Sequence, residues 1–356
     1  MKHSLSVKVI SGYNPKTESF NRITNCQRSR NDFTLAAKSV LDFVGNTPLI
    51  QLNSPEGVFS TFEANLYAKV EYVNPSGSIK DRIAKYMIEQ AEKRGELKPG
   101  YTIVEGTSGN TGIAFSMAGA AKGYKVVIVM CESMTEERRN FIRAYGAKVV
   151  STPADQGLKG AVNKTKELAK QEGWWMPAQF DNYDNVEAHR LIMGKEIIEQ
   201  VLGGWVDAFV AGVGTGGTLM GVAKALKEVN PEVKILAAQP AGSQELTGGK
   251  AGEHRIDGIG DGFIPSIVDQ SLIDEVINVK DEDAVNWSRL LAREKGLFAG
   301  ISSGANVDAA VQLARRMKKG QNIVTVLPDS ADRYASLGIF TDKKAEKIHV
   351  PKTFAP

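Results

Sequence analysis

One lysine, Lys80, lies between a glycine-serine turn and a predicted helix start, in the segment NPSGSIKDR at residues 74–82. Asp81 and Arg82 follow it directly. A surface lysine needs no such setting, whereas an amine that forms a Schiff base with a carbonyl group must be held in a defined place. The segment therefore predicts a reactive lysine at the N-terminus of a helix.

A glycine-rich loop at residues 211–218, AGVGTGGT, follows a predicted strand and leads into a predicted helix. Such a loop presents backbone N–H groups at the positive end of the helix dipole, an arrangement that binds phosphate. Gly212, Gly214 and Gly217 also fit the dinucleotide fingerprint G-x-G-x-x-G, which requires an acidic residue at the end of the next strand. That strand ends in AAQP, without an acid, so the loop favours a phosphate group over a nicotinamide dinucleotide.

A second polar loop, EGTSGNTG at residues 105–112, also leads from a strand into a helix. A helix cap requires only one Ser, Thr or Asn. This loop interleaves four hydroxyl or amide residues with three glycines, which is more than a cap requires. We therefore predict that it binds a carboxylate at the start of the helix.

A third loop, AGISSGAN at residues 299–306, contains a match to the nucleophile elbow G-x-S-x-G, centred on Ser302. Asp329 and His349 follow in the chain order of a serine hydrolase. However, no oxyanion motif of the H-G-G-G kind is present, and His349 lies in a charged segment near the C-terminus. Ser302 is therefore predicted to be a hydrogen-bonding partner and not a nucleophile.

Short apolar segments that read as buried strands must position these loops, and helical patterns lie between them. The predicted strands cover residues 101–104, 126–130, 206–210, 234–238 and 322–327, and two of the predicted helices cover 136–145 and 284–294. Strands that alternate with helices indicate βαβ units. The predicted fold class is α/β, with parallel or mixed sheets flanked by helices.

The composition is that of an ordinary globular protein, with 356 residues, 42% hydrophobic and 24% charged, which leaves room for two domains. The net charge of +3 is too small to indicate a nucleic-acid or membrane partner, and no apolar run approaches the roughly 20 residues of a membrane span. Cys26 and Cys131 form neither a disulfide framework nor a metal motif, and the four histidines lack metal-ligand spacing. These features predict a cytoplasmic protein without a metal site.

The first forty residues are basic, with Glu18 and Asp32 as their only acidic residues, and rich in Ser, Thr and Asn. An organellar transit peptide has this composition, but its amphipathic arginine face is not evident here. A flexible or dimer-embracing arm is the other interpretation, and both stay open.

The lysine, the phosphate loop and the serine loop together supply what pyridoxal phosphate requires: an amine for the Schiff base, N–H donors for the phosphate and a partner for the ring nitrogen. The chain closely resembles the cysteine synthases, or O-acetylserine sulfhydrylases, which belong with cystathionine β-synthase to the β-family of pyridoxal phosphate enzymes. The resemblance runs from about Gly45, in VGNTPLIQL, to Tyr334, in VLPDSADRY. NPSGSIKDR, EGTSGNTG, GVGTGGT and GISSGA carry it together.

This resemblance implies a two-domain β-family (fold type II) architecture in residues 41–334, with pyridoxal 5′-phosphate between two interleaved α/β domains. Residues 1–40 would then be an N-terminal extension and residues 335–356 a C-terminal tail. The resemblance also implies a homodimer and makes serine acetyltransferase a candidate partner.

Site residues follow from the resemblance by motif. Lys80 would form the internal aldimine, Asn110 would hydrogen-bond the phenolic oxygen of the cofactor, and Ser302 would face its pyridine nitrogen. The residues implied to hold the phosphate are Gly214, Thr215, Gly216, Gly217 and Thr218. Those implied to bind the substrate carboxylate are Thr107, Ser108, Thr111 and Gln179.

The implied reaction is a β-replacement that forms L-cysteine from O-acetyl-L-serine and sulfide through an aminoacrylate intermediate. Lys80 would remove and return the α-proton, and burial near the cofactor should lower the pKa of its amine. Two alternatives stay open. One is a sibling enzyme with another nucleophile, such as cystathionine β-synthase or β-cyanoalanine synthase, and the other is a non-catalytic binding or sensing module.

Some members of the family prefer O-phosphoserine, whose phosphate calls for a nearby arginine or lysine. The segment HRIDGIGDGFIP, residues 254–265, resembles the family's IQGIGAGF segment and is predicted to cover the substrate. Asp257 and Asp261 would repel a phosphate there, and Arg255 is the one arginine or lysine of the segment. The sequence therefore predicts a preference for O-acetylserine.

Overall fold

The structure, a computed structural model, describes residues 36–107 and 109–340, without the side chain of Leu202. The chain divides after residue 38 into two units, and the residues from Ser39 onward belong to the second unit. Both sheets of the fold lie in this second unit.

Strands and helices alternate along the second unit as predicted. The strands are β1 (Leu49–Gln51), β2 (Asn65–Val70), β3 (Thr102–Gly106), β4 (Lys125–Cys131), β5 (Lys148–Thr152), β6 (Trp174–Trp175), β7 (Ala208–Gly212), β8 (Lys234–Pro240), β9 (Glu275–Val279) and β10 (Asn322–Leu327). The α-helices are α1 (Lys80–Arg94), α2 (Asn110–Lys122), α3 (Glu136–Ala144), α4 (Gly157–Leu168), α5 (Asp184–Ala188), α6 (Lys195–Gln200), α7 (Gly217–Val229), α8 (Asp281–Lys295) and α9 (Ile301–Ala314). A π-helix spans His189–Gly194, and 3₁₀ turns span Val40–Phe43, Val58–Ser60, Glu71–Val73, Ala154–Gln156, Leu202–Gly204, Glu245–Thr247, Gln270–Leu272 and Ala331–Leu337.

These strands form two separate sheets. The larger has the order β1-β2-β10-β7-β8-β9, and all its neighbours are parallel except β1 and β2. The smaller has the order β5-β4-β3-β6 and is entirely parallel. The predicted α/β class, with parallel or mixed sheets flanked by helices, is confirmed.

The predicted elements differ from the observed ones only at their ends. The strand predicted at residues 322–327 coincides with β10, whereas the helix predicted from residue 284 begins at Asp281. Asp281, Glu282 and Asp283 occupy the first turn of α8, where carboxylates stabilise the positive end of the helix dipole. Apolar periodicity misses such a turn because it contains no apolar residue.

Each sheet has helices on both faces and therefore its own hydrophobic cores. One face of the larger sheet packs around Trp287 of α8, and the other packs around Leu219 of α7. The smaller sheet packs on one face against α1 and α2, and on the other against Ala161 of α4. Burial on both faces explains why the strands read as continuous apolar segments.

A buried ion network fixes the start of helix α1 against the larger sheet. Arg82 Nε donates to Glu71 Oε2 at 2.6 Å, and Arg82 Nη2 donates to Glu196 Oε2 at 2.7 Å. Lys69 of β2 joins Glu196 at 2.7 Å. Burial alone would raise the pKa of Glu71, but the Arg82 guanidinium keeps that pKa below its ordinary value. The network thus stays charged, and it holds the backbone two residues after Lys80.

No helix among residues 36–107 and 109–340 combines the length and apolar character that crossing a bilayer requires.

We expect Arg82→Met to lower the free energy of unfolding by about 3–5 kcal/mol, because it leaves buried carboxylates without their partner. The control is Arg316→Met, whose side chain and partner Glu275 are both exposed, with an expected cost of at most about 1 kcal/mol. Urea denaturation of the cofactor-free proteins measures both values. Equal losses in the two variants would show that the buried network does not determine stability.

Candidate active site

Lys80 is the first residue of α1, and a tight turn delivers it there. Gly77 has a φ of +83°, which favours glycine, and its N–H donates to Asn74 O at 2.7 Å. The buried Asp81 carboxylate accepts hydrogen bonds from both the backbone N–H and the hydroxyl of Ser76. Asp81 therefore braces the turn from the helix side, and the placement of Lys80 at a helix start agrees with the sequence prediction.

Burial lowers the pKa of the Lys80 amine, while the carboxylates of Asp261 and Asp329 oppose that shift. A lowered pKa increases the share of neutral amine near pH 7, and only the neutral amine can accept a proton or attack a carbonyl carbon. The environment of Lys80 thus suits the role that the sequence suggested.

The loop between β7 and α7 contains the residues predicted to hold a phosphate. Gly216 has a φ of +86°, and helix α7 begins at Gly217. A Cβ on Gly217 would lie 1.9 Å from Asn185 Oδ1, so this position accepts only glycine without a shift. The backbone of this loop therefore lies at a helix N-terminus, where the N–H groups favour the binding of an anion.

Side chains from neighbouring elements support this loop. Asn185 Nδ2 donates to Thr215 Oγ1 at 3.0 Å, and Asn306 Oδ1 accepts from the N–H of Gly212 at 2.7 Å. Thr218 Oγ1 lies 3.2 Å from Nε2 of the buried His189. Burial keeps the pKa of His189 well below its ordinary value, so this contact involves a neutral ring.

The loop between β3 and α2 brings together the residues predicted to bind a carboxylate. Thr111 Oγ1 donates to Gln179 Oε1 at 2.7 Å, and Thr107 Oγ1 accepts from the N–H of Gly109 at 3.1 Å. Ser108, predicted for the same set, lies outside the described residues. Thr107, Thr111 and Gln179 thus meet at the N-terminus of α2.

Glu105, at the base of this loop, positions Gln179 through the backbone. Its Oε2 accepts from the N–H of Ala178 at 2.9 Å, and Ala178 has an unusual φ of +56°. Burial raises the pKa of Glu105 to about 8, and the backbone N–H groups that donate hydrogen bonds to its carboxylate oppose this rise. No pattern in the sequence indicates this role for Glu105.

Asn110 and Ser302 each lie in the first turn of a helix, α2 and α9 respectively. Asn110 Nδ2 donates to Asp329 Oδ2 at 2.7 Å, and Asn110 Oδ1 accepts from Arg333. Ser302 is buried and lines the same cavity as Asn110. Asp329 is thus engaged by Asn110, and His349, its proposed partner in a hydrolase triad, lies outside the described residues.

Part of the segment at residues 254–265 lines the site, but its charges are arranged differently from the expectation. Asp257 Oδ2 accepts from Arg138 Nη2 of α3 at 2.8 Å, so this carboxylate is paired. Arg138 lines the cavity, whereas Arg255 is exposed and absent from its lining. Burial raises the pKa of Asp261 to about 6. Sequence reasoning missed Arg138 because nothing in the pattern of α3 shows which segment it meets.

Two adjoining cavities share Lys80, Asn110, Thr215, Asp257 and Gly258 in their linings. One of them, with an empty volume of ≈510 Å³, is also lined by Gly214, Gly216, Thr218 and Ser302. The other, of ≈450 Å³, is also lined by Thr107, Thr111 and Gln179. Lys80 therefore borders both the cavity of the predicted phosphate residues and the cavity of the predicted carboxylate residues.

A lysine beside two loops that lead into helix N-termini, in a fold with two α/β sheets, is typical of fold type II pyridoxal phosphate enzymes. A family model described as "Pyridoxal-phosphate dependent enzyme" matches residues 40–329, and the chain belongs to this family. A curated cysteine synthase of Staphylococcus aureus is 47% identical over 303 residues, which cover 85% of this chain and 97% of that protein. The resemblance seen in the sequence is thereby confirmed.

Two solved structures extend the comparison. A cysteine synthase from Entamoeba histolytica has 36% identity and a TM-score of 0.81, with 94% of this chain and 95% of that chain covered. An O-acetylserine dependent cystathionine β-synthase from Helicobacter pylori has 38% identity and a TM-score of 0.80, with 86% of this chain and all of that chain covered. One fold thus serves relatives named for different products.

The described residues fit pyridoxal phosphate. The glycines at 214, 216 and 217 leave no room for a side chain in the loop that would receive the phosphate, since each Cβ would lie within 2.2 Å of another atom. Lys80 and Ser302 line the cavity next to that loop. The cavity therefore offers an amine, an anion site and a hydroxyl to one bound group.

We expect Gly217→Ala to weaken the binding of pyridoxal phosphate about tenfold or more, because the new Cβ must displace the loop or Asn185. Titration of the cofactor-free protein with pyridoxal phosphate, followed by absorbance, measures this affinity. Adding Asn185→Ala removes the clash and should recover part of the loss, with Asn185→Ala alone as the control. Unchanged affinity in Gly217→Ala would contradict the assignment of this loop.

Proposed function

We propose that this protein forms L-cysteine from O-acetyl-L-serine and sulfide in a pyridoxal phosphate-dependent β-replacement. The observation that carries the proposal is the position of Lys80, which lines both the cavity with the phosphate loop and the cavity with Thr107, Thr111 and Gln179. The 47% identity to a cysteine synthase supports the same reaction.

When bound, the cofactor supplies a carbonyl carbon for Lys80 and a ring that withdraws electrons from the substrate Cα. Lys80 is then the group that takes the proton from Cα and returns it after the new bond has formed at Cβ. Its lowered pKa suits both steps near neutral pH. Thr107, Thr111 and Gln179 orient the substrate by its carboxylate, which places Cα within reach of Lys80.

Ser302 supports the same chemistry through its neutral hydroxyl. A hydroxyl can hydrogen-bond the ring nitrogen without forcing a proton onto it, as a carboxylate would. Ser302 would thereby favour departure of the β-substituent over side reactions at the substrate Cα.

A sibling β-replacement activity is the second candidate, because a relative of equal coverage is named as an O-acetylserine dependent cystathionine β-synthase. The two candidates share the first half of the reaction and differ in the nucleophile. Parallel assays of the purified protein with sulfide, homocysteine or cyanide decide between them. Absence of turnover with all three would favour a binding or sensing module.

The assembly and location of the protein are also proposals. We infer a cytoplasmic homodimer, with serine acetyltransferase as a candidate partner and residues 1–40 as an extension outside the catalytic region at 41–334. Cys131, a buried free thiol, suits a reducing compartment. A monomeric mass in solution would overturn the dimer, and loss of cofactor binding on deletion of residues 1–35 would overturn the domain division.

We expect Lys80→Ala to abolish turnover of O-acetylserine with sulfide while the protein stays folded, since this residue supplies both the amine for the cofactor and the proton carrier. Lys93→Ala, in the exposed last turn of the same helix, is the control and should retain full activity. Cysteine formation and circular dichroism measure the two properties. Near-normal turnover in Lys80→Ala would refute the assignment.

We also expect kcat/KM with sulfide to be much higher for O-acetylserine than for O-phosphoserine. The carboxylate of Asp261 lines the cavity and lies close enough to Lys80 to oppose the lowering of the amine's pKa by burial. It would repel a phosphate, whereas an acetyl ester is neutral. Arg138 does not offset this repulsion while its guanidinium pairs with Asp257.

Asp261→Asn should therefore raise the relative kcat/KM for O-phosphoserine by about tenfold. Asp155→Asn, the same change at an exposed position that lines neither cavity, should leave the ratio unchanged. A wild-type preference for O-phosphoserine would overturn this prediction and point to Arg138 as the anchor of the phosphate.

A further inference from the structure

The segment from Pro328 to Tyr334, directly after β10, touches three parts of the site. Pro328 O accepts from the N–H of Ile79, next to Lys80, at 2.8 Å. Asp329 O accepts from the N–H of Gly300, two residues before Ser302, at 2.9 Å. Its side chains reach the third part, Asn110, and the proposed reaction uses none of them.

Two charged side chains of this segment bind opposite ends of the Asn110 amide. Asp329 Oδ2 accepts from Asn110 Nδ2 at 2.7 Å, and an Arg333 N–H donates to Asn110 Oδ1. Both partners are buried, with Asp329 fully enclosed and Arg333 4% exposed. Hydrogen bonds to charged groups in such surroundings are among the strong ones.

These contacts allow only one orientation of the amide. Rotating it by half a turn would set the Asn110 oxygen against the Asp329 carboxylate and its NH₂ group against the Arg333 guanidinium. Both encounters are repulsive, and both lose a hydrogen bond to a charged partner. The NH₂ group carries two hydrogens, of which Asp329 accepts one, so a second N–H remains for a ligand.

The position of Asp329 is itself restricted. A Cβ on Gly300 would lie 2.1 Å from Asp329 Oδ1, so the carboxylate packs against bare backbone. Its other oxygen also accepts from the Tyr334 hydroxyl at 2.7 Å. Burial raises the pKa of Asp329, and the Arg333 charge together with the hydrogen bonds from Asn110 and Tyr334 opposes that rise. Asp329 therefore presents a fixed acceptor to Asn110.

We propose that Asp329 and Arg333 are positioning residues that hold Asn110 as a hydrogen-bond donor toward the cofactor. The proposal rests on the proposed function only in that pyridoxal phosphate occupies the cavity next to Asn110. An N–H directed at the phenolic oxygen stabilises the ionised form of that oxygen, which affects both the affinity and the visible spectrum of the cofactor. A free amide could present its oxygen instead.

A double-mutant cycle on cofactor binding tests this coupling. Asn110→Ala and Asp329→Ala should each weaken the affinity for pyridoxal phosphate about tenfold and shift its visible absorption in the same direction. The double variant should bind pyridoxal phosphate at most about twofold more weakly than Asn110→Ala alone, because the effects of two residues that act through one contact are not additive. Equilibrium dialysis and absorption spectra measure these values.

Thr325→Val is the control for a purely structural role, since it removes a buried hydrogen bond from β10 to Val210 O and keeps the contacts of Asn110 with Asp329 and Arg333. We expect its spectrum and affinity to match those of the wild type. If Asp329→Ala does not fold, Arg333→Met in the same cycle replaces it. Full additivity with Asn110→Ala, or an unchanged spectrum in Asp329→Ala, would overturn the proposal.

Two independent readouts separate this proposal from the proposed function. Cofactor affinity and absorption are measured without substrate, so a non-additive cycle in a protein that forms no cysteine would refute only the proposed reaction. Cysteine formation by a protein whose cycle is additive would refute only the positioning role.

Discussion

The contact on which the site depends is the buried guanidinium of Arg82 between the carboxylates of Glu71 and Glu196. It joins the end of a strand in the larger sheet to the first turn of α1, and so decides where that helix can begin. Removing a charge from water is costly unless its partners are already in place. The ion pairs of the Arg82 guanidinium therefore help to fix the position of Lys80, two residues earlier.

Loops from both sheets lie near Lys80. The loops after β3, β7 and β10 all leave the carboxyl ends of parallel strands, where ligands of α/β proteins bind. Two of them enter helices α2 and α7, whose N-termini favour anions. A phosphate and a carboxylate can thus be held on either side of one amine, with few charged side chains committed to either.

Sequence reasoning reached the fold class and the residues within glycine-bearing loops, because turns and caps leave local patterns. It did not predict the contacts of Arg138, Asp329 or Arg333, whose partners are distant in the chain: Arg333 lies 223 residues from Asn110. It also read Asp257 as a free carboxylate, because a sequence shows a charge without showing the arginine that neutralises it. The sequence patterns do not show contacts between distant elements, because the packing of the two sheets determines those contacts.

The smaller sheet occupies one unbroken stretch of chain, from β3 to β6, between strands of the larger sheet. It carries the loop with Thr107 and Thr111, while the loop with Gly216 belongs to the larger sheet. With the proposed roles of these loops, mutations that repack the smaller sheet would alter substrate binding and leave the loop proposed for the cofactor phosphate in place. Such a division would allow the substrate preference to change during evolution while the loop proposed for the cofactor is preserved.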